Sequence, residues 1–272
     1  MADIKISALP NAAALTGTES IPAVQAGGNV KIPVSAIRAP LVASTYIGGL
    51  QLIWVNATTV AVSSGEAYVP GAGGIVSLAA QTSVNISGMP WVGPDRQGHV
   101  YLTATGTLRV TNTAPAAPYM GPARTQTGDT STRYLGSILL MPDSKIAKFT
   151  HDMGSGMISY FENLALAPFA VVNGTAPTTA TDVPVSAIVP PGVIRVILVG
   201  SNTATDQTLY IGNADTVVPL DSSGQLTFMY ARNATTMELP LSAAQTFNYK
   251  YTTAPAVGGM AYLRIGGYSL PR

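Results

Sequence analysis

The chain has 272 residues, and only 10% of them are charged, against about 25% in an ordinary soluble protein. The formal net charge of +1 argues against a polyanion-binding protein, because such proteins need a field of clustered Lys and Arg. With no cysteine and 2 histidines, disulfides, thiolate zinc sites, thiol nucleophiles and a multi-histidine metal centre are excluded.

Hydrophobic residues make up 47% of the chain, which is enough to bury a sizeable core. No apolar run is long enough for a transmembrane helix, and the first residues are too polar for a signal peptide. We therefore expect assembly in the cytoplasm and no membrane insertion. The apolar surplus could fill a large monomeric core or be buried between subunits. We favour burial between subunits, because few charges remain to solvate the surface of a monomer.

Residues 1–40 are predicted to form an extended arm. The pairs Leu9-Pro10 and Ile21-Pro22 disfavour helix, since the residue before a proline avoids the helical region. Turns are predicted at 15–19, at Gly27-Gly28 and, as a short helical turn, at 34–38. The segment has too few apolar residues for a core, so it is either a disordered tail or an arm that docks on a partner. Regular apolar spacing favours docking, at Ile4, Ile6, Leu9, Leu15, Ile21, Val24, Val30 and Ile32.

Residues 41–165 show short strands separated by turns. The segments LQLIWV and VAVSS flank NATT, which is typical of a β-hairpin. Further strands are predicted at GIVSLA, GHVYLTA, TLRVT, RYLGSILL and KIAKFT. In GHVYLTA, Val100 and Leu102 share one face, while His99, Tyr101 and Thr103 share the other. The Pro- and Gly-rich run at 113–132 is predicted to be a long ordered loop.

Residues 166–272 form a second strand-rich block. The segment VIRVILVG is nearly continuously apolar, which predicts a central strand with both faces covered. Alternation in QLTFMYA places Leu226, Phe228 and Tyr230 on one face of a strand. In MAYLRIGGY, Leu263 and Ile265 lie on the face opposite Tyr262 and Arg264. We predict an all-β fold, with an N-terminal arm (1–40) followed by two β-sandwich or jelly-roll-like domains, 41–165 and 166–272.

A search for nucleotide-binding, zincin and nucleophile-elbow motifs finds none. Asp95 and His99 are four residues apart, but the flanking Pro94 and Gly98 indicate a solvated loop rather than a metal or acid–base pair. His151 and Asp152 are adjacent, so on a strand they point to opposite faces. No catalytic residue, metal ligand or cofactor is predicted.

Glycan cleavage requires two carboxylates that flank the scissile bond. The 13 acidic residues are scattered without a paired cluster, so we do not predict an enzyme. Trp54 and Trp91 could stack on sugar rings, although a lone tryptophan is more often part of a core.

Three stretches are distinctive: IKISALPNAAALTGTESIPAVQAGGNVKIPVSAI (4–37), GLQLIWVNATTVAVSSGEAYVPGAGGIVSL (49–78) and TAPAAPYMGPARTQTGDTSTRYLGSILL (113–140). Together they resemble bacteriophage virion fibre proteins. The first resembles the N-terminal segment of tail fibres and related virion appendages, and the other two resemble the β-module that follows it. The segment ARTQTGDTSTRYLGSI is the most specific, and the resemblance covers roughly residues 1–150.

This resemblance implies a structural component of a phage particle, usually a homotrimer, whose arm fastens to the virion and whose far end faces the host. The arm would contact a portal, adaptor, baseplate or capsid protein. By analogy the attachment motif contains Leu9, Pro10, Leu15, Thr16, Gly17, Ile21, Pro22 and Val24.

A short tail-fibre-type protein would bind a host surface glycan or protein, without catalysis, through loops of its last domain. The candidate residues are Asn202, Asp206, Tyr210, Asn213, Tyr230, Arg232, Asn233 and Tyr249. These tyrosines could instead pack between strands. The absence of heptads and the short distal block leave a second hypothesis open, that of a head fibre, capsid decoration or tail-adaptor protein with a role in assembly or stabilisation. A glycan-degrading enzyme is a third.

Overall fold

The structure is a computed structural model that describes residues 20–25, 28–33, 44–87, 97–215 and 227–271. These residues form antiparallel strands and a short 3₁₀ helix, Pro70–Ala72, so the all-β prediction is confirmed. The strands before the long loop are β1 (Ser20–Gln25), β2 (Gly28–Pro33), β3 (Ile47–Gly49), β4 (Leu52–Asn56), β5 (Thr59–Val62), β6 (Gly65–Val69), β7 (Gly74–Leu78), β8 (Thr82–Asn85), β9 (Gln97–Thr103) and β10 (Leu108–Thr111).

The strands after this loop complete the described fold. They are β11 (Thr132–Leu139), β12 (Phe149–Asp152), β13 (Met157–Tyr160), β14 (Ala170–Thr175), β15 (Thr181–Pro184), β16 (Arg195–Asn202), β17 (Leu209–Asn213), β18 (Thr227–Met229), β19 (Asn233–Pro240), β20 (Thr246–Tyr251) and β21 (Ala261–Ser269).

The N-terminal block contains three small sheets, with strand orders β3-β6-β7, β4-β5-β8 and β10-β9-β11. The hairpin predicted around NATT is confirmed as β4 and β5, with Leu52 opposite Val62. Strand β9 lies between β10 and β11, and its seven residues are all buried. Both of its predicted faces are therefore covered, including the one that carries His99.

The loop between β10 and β11 is ordered, as predicted for the Pro- and Gly-rich run. The buried Arg133 guanidinium donates to the Tyr119 hydroxyl at 2.6 Å and to the Thr45 carbonyl oxygen at 3.0 Å. The Tyr119 hydroxyl in turn donates to the Ser44 carbonyl oxygen. These bonds fasten the loop to the segment through which the chain enters the first sheet.

Most of the remaining strands form two sheets. The first has six strands, in the order β12-β13-β21-β16-β19, and β14 also pairs with β21. The second has four strands, in the order β15-β20-β17-β18. Strand β16 is central, as predicted, but its burial alternates between buried and half-buried residues. The buried face packs against the four-stranded sheet: a Cβ on Gly200 would lie 2.7 Å from Met229 Sδ. The apolar run of β16 therefore has only one fully buried face.

The predicted boundary at residue 165 is displaced by long-range strand pairing. Strands β12 and β13 lie before that boundary, yet β13 pairs with β21 near the end of the chain, with Met157 opposite Ser269. Buried residues from both blocks form one hydrophobic core. For example, a Cβ on Gly136 in β11 would contact both Leu52 and Leu270. The described body from residue 44 onward thus shares a core instead of dividing at 165.

Strands β1 and β2 form a two-stranded sheet that, among the described residues, pairs with no other strand. Its register runs from Ser20 opposite Pro33 to Gln25 opposite Gly28. The arm thus contains a hairpin, where the sequence predicted an extended segment with a turn at Gly27-Gly28. The predicted helical turn at 34–38 lies outside the described residues.

Close backbone approach at Gly65 gives a stability prediction. A Cβ at this position would overlap the Gly48 carbonyl oxygen and lie 2.5 Å from the Leu50 amide nitrogen. We expect Gly65→Ala to lower the free energy of unfolding by about 1–3 kcal/mol, because strand β3 must move away from β6. Gly74→Ala in the same sheet is the control: a Cβ there meets no atom within 4 Å. It should raise the free energy of unfolding by about 0.4–1 kcal/mol in urea titrations. Equal effects of the two substitutions would contradict the described packing.

Candidate recognition surface

Three loops meet at one end of the C-terminal block: residues 203–208, 230–232 and 252–260. Their organising residue is Asn202 at the end of β16, which is 1% exposed. Its Nδ2 group donates to three carbonyl oxygens, those of Gln207 (2.9 Å), Met229 (3.1 Å) and Tyr230 (3.1 Å). Because an amide nitrogen has two hydrogens, one of them is shared between two acceptors. One buried amide thus joins the first loop to the second.

The other atom of the same amide group connects Asn202 to the sheet behind it. Asn202 Oδ1 accepts the Ala204 N–H at 3.1 Å and the Tyr251 hydroxyl at 2.8 Å. Burial raises the pKa of Tyr251 to about 12, so this phenol stays protonated and donates at neutral pH. Two donors at Oδ1 and three acceptors at Nδ2 fix the orientation of the amide.

The third loop is fastened to the first. The Thr203 N–H donates to the Met260 carbonyl oxygen, and the Met260 N–H donates to Thr203 Oγ1, both at 3.0 Å. Asp206 Oδ1 accepts the Ala256 N–H at 3.0 Å, and Gly259 has no space for a side chain beside Ala204. The apolar loop at 252–260 is therefore held on both sides by contacts within the chain.

Apolar side chains project from these held loops. Tyr230 is 63% exposed, Val257 is fully exposed, and Met260 is partly exposed. Arg232 adopts φ of 57°, and its N–H donates to the Ala204 carbonyl oxygen, which fixes the turn that carries Tyr230. Large exposed apolar groups on a rigid base are typical of protein and ligand contacts. We call the three loops with these side chains the loop cluster.

A row of two aromatic side chains and a lysine extends from the loop cluster across the outer face of the four-stranded sheet. Phe228, Tyr210 and Lys250 are direct cross-strand neighbours on β18, β17 and β20. Phe228 and Tyr230 stack edge to face, with ring centroids 4.9 Å apart. Asp182 and Asn248 form the next polar row of the same face. The surface thus combines aromatic rings with both signs of charge.

The predicted recognition residues divide into three groups. Asp206, Tyr230, Arg232 and Asn233 come together at the loop cluster, with Tyr210 on the adjoining face. Asn213 lies at the opposite end of β17, where its Oδ1 accepts the Asp215 N–H.

Two of the predicted recognition residues must be corrected. Asn202 is an internal scaffold of the loops and not a contact residue. Tyr249 is 3% exposed, and its hydroxyl lies within hydrogen-bond distance of Thr175 Oγ1. Both belong to the face of their strand that is covered by the opposing sheet.

The glycine pair Gly258-Gly259 indicates a turn in the third loop, but the sequence analysis does not assign this loop to the recognition surface. Val257 and Met260 lie in TTAPAVGGM, which carries no charge. A charge-free turn with two glycines between two strands was the available signal. Phe228 was placed on one face with Tyr230, as observed, but was not proposed as a contact, and Leu226 lies outside the described residues.

The predicted attachment residues are described only in part. Ile21, Pro22 and Val24 lie in β1, where they pair with Ile32, Lys31 and Asn29 along the backbone. The remaining attachment residues lie outside the described part of the chain: Leu9, Pro10, Leu15, Thr16 and Gly17.

The residues considered for acid–base or metal chemistry are described only in part. His99 is buried in β9, and Asp95 and Trp91 lie outside the described residues. His151 is buried and accepts the Leu52 N–H at its Nδ1, whereas the adjacent Asp152 faces solvent, as predicted for neighbours on a strand. Within the described ranges, no three or more His, Asp or Glu side chains are grouped in a way that could hold a metal ion.

No protein-family model matches the chain, and no curated protein matches it. No helix among the described residues is long and apolar enough to cross a membrane. The described residues thus form an all-β protein whose loop cluster is held by internal hydrogen bonds and whose N-terminal hairpin pairs with no other described strand.

Proposed function

We propose that the chain is a structural component of a bacteriophage particle. It forms a short, tail-fibre-type homotrimer, which is anchored by its N-terminal arm and recognises the host without catalysis. The particle role rests on the resemblance of residues 4–37, 49–78 and 113–140 to virion fibre proteins. The recognition role rests on one observation, that a buried amide holds loops which expose Tyr230 and Val257.

The isolated hairpin supports the anchoring role of residues 1–40. A two-stranded hairpin by itself is only marginally stable in water, because it buries little apolar surface. Docking on a particle protein would cover it, and each apolar side chain so buried would contribute roughly 1.5–3 kcal/mol. Within the arm, β1 carries Ile21 and Val24, and β2 carries Val30 and Ile32.

The surface of the body supports contacts between copies. In the described residues the ion pairs are Arg109–Asp129, Lys145–Asp143 and Arg195–Glu238, all of them at the surface. Large apolar side chains are exposed outside the loop cluster as well, for example at Tyr46, Tyr119, Met120, Met153, Phe161 and Ile194. Burial of such groups between subunits would explain how a chain with so few charges remains in solution.

A head fibre, capsid decoration or tail-adaptor protein is the second candidate, and one observation favours it. Both blocks share a single core, so the described body has no separate distal domain that would extend away from the particle. In that case the loop cluster would contact a neighbouring virion protein instead of a host molecule.

Deletion of residues 1–40 tests the proposal. We expect the truncated protein to keep its trimeric mass in light scattering but to fail to join particles that lack the protein, because the anchoring segment is gone. The full-length chain, added back in parallel, is the control for incorporation. Incorporation of the truncated protein would overturn the anchoring role and favour a decoration protein that binds through its sheets. A monomeric mass of the full-length protein would count against the trimer.

A further inference from the structure

A cleft of about 380 Å³ lies between the turn at 141–146 and the segment 161–167, and no residue of the loop cluster lines it. Its volume is within the range of about 300–1,000 Å³ that is usual for small-molecule sites. Trp54 of β4 lines it beside Ile146, and the apolar walls come from Met141, Pro142, Leu166 and Ala167. The polar lining residues are Asp143, Lys145 and Glu162.

Trp54 is a fixed aromatic platform in this cleft. Its Nε1–H donates to the Ile146 carbonyl oxygen at 3.3 Å, which holds the edge of the indole. The Lys148 ammonium lies over the ring, 5.4 Å from its centroid, and Lys148 is not among the residues that line the cleft. The Lys148 N–H donates to Glu162 Oε1 at 2.6 Å, which positions that carboxylate at the same site. An indole held in this way loses little conformational entropy when a ligand stacks on it.

The charges around the cleft cancel. Asp143 pairs with Lys145 at 2.6 Å, and Glu162 lies beside the backbone of Lys148. Two carboxylates and two ammonium groups favour a neutral ligand over an ion. Each ionised carboxylate has several lone-pair sites, so both can accept further hydrogen bonds from hydroxyl donors. The lining thus offers an aromatic face, apolar walls and hydroxyl acceptors.

We propose that this cleft binds a neutral sugar, as a mono- or disaccharide unit, with the apolar face of the ring on Trp54 and its hydroxyls donating to Asp143 and Glu162. A sugar ring fits because one side of it presents C–H groups and its rim presents hydroxyl donors. A flat aromatic ligand would use the platform but leave both carboxylates without donors. The proposal rests on the cleft alone and holds whether or not the chain is a virion protein.

Saturation-transfer NMR on the full-length protein tests the proposal, with the methyl glycosides of glucose, galactose, mannose and N-acetylglucosamine as probes and caffeine, a flat aromatic molecule without hydrogen-bond donors, as the competitor. We expect millimolar binding of at least one glycoside and quenching or a shift of tryptophan fluorescence. Trp54→Leu should weaken that binding by about tenfold or more, because it removes the aromatic face under the ring, and loss of an aromatic platform has an effect of this size on stacked nucleobases. The control is Val55→Ala, which changes the neighbouring exposed residue and should leave the affinity unchanged.

The carboxylates give a second, independent variant. Asp143 is exposed, and a glutamine at 162 keeps an amide oxygen that can accept the Lys148 N–H, so Asp143→Asn with Glu162→Gln should fold normally and still weaken glycoside binding by several-fold. Circular dichroism of all variants checks the fold. The proposal is overturned if no glycoside binds, if caffeine binds while the glycosides do not, or if both sets of variants bind like the unmodified protein. None of these outcomes bears on particle incorporation, which is measured separately.

Discussion

Between pH 7.5 and pH 4.5 the protein should lose about 2.5 kcal/mol of its free energy of unfolding, because it holds a buried neutral histidine. His99 is 3% exposed in β9, with Nδ1 2.6 Å from Ser137 Oγ and the Tyr134 ring edge-on to it. Burial lowers the pKa of His99 from 6.5 to about 4. In this pH window the unfolded chain therefore takes up a proton that the folded chain does not, so stability falls as the pH falls.

The test is a set of urea unfolding curves from pH 7.5 to 4.5 for the natural chain and for His99→Gln. The substitution should make the free energy of unfolding less dependent on pH, whatever its effect on stability at pH 7.5. Carboxyl groups interfere little above pH 4.5, because the pKa of an aspartate in the unfolded chain is about 3.9. For example, hydrogen bonds from Ser131 and Arg109 lower the pKa of the folded Asp129 carboxyl, so most of its contribution to stability is lost below this window. An unchanged slope in His99→Gln would show that His99 is not the group responsible.

Substitution of Asn202 should have the second large effect. Asn202→Ala leaves the Tyr251 hydroxyl and the carbonyl oxygens of the two loops without their partner, and it should lower the free energy of unfolding by about 3 kcal/mol. Asn233→Ala is the matched control. Asn233 is directly opposite Asn202 on the neighbouring strand but is exposed, so the change should stay within about 0.5 kcal/mol. Similar losses for both variants would contradict the role of Asn202 as a buried scaffold.

The same substitution connects stability with recognition. If the loop cluster binds the host, purified Asn202→Ala should compete poorly with particles for adsorption, even at temperatures where it is fully folded. Tyr230→Ala separates the two effects, because that exposed ring can be removed with little cost in stability. Loss of competition by Tyr230→Ala at unchanged stability supports recognition through the loops. Full competition by both variants would favour the assembly role instead.

The two candidate functions differ in what covers the loop cluster. A host-recognition surface is free in the particle, whereas an assembly surface is buried against a neighbour. Labelling of Tyr230→Cys in intact particles would distinguish them, since the chain has no natural cysteine. The sugar cleft is independent of this question, because its residues come from β4 and from the segments around β12 and β13.

Strand alternation and composition were sufficient for several parts of the fold. The hairpin of β4 and β5, the opposed faces of Leu263 and Tyr262 in β21, and the ordered loop before β11 followed from local pattern and turn chemistry. These features depend on neighbours in sequence, because side-chain alternation and turn conformation are local properties of the backbone.

By itself, then, the sequence determined the all-β class and the location of several strands, with the two faces of strands such as β9 and β21. Only the tertiary structure decided which face is covered, because that depends on the sheet packed over it. Asn202 and Tyr249 are polar and aromatic, like Asn233 and Tyr230, yet the opposing sheet buries the first pair and leaves the second exposed. The boundary at 165 was likewise displaced by pairing between residues more than a hundred positions apart, which no local pattern encodes.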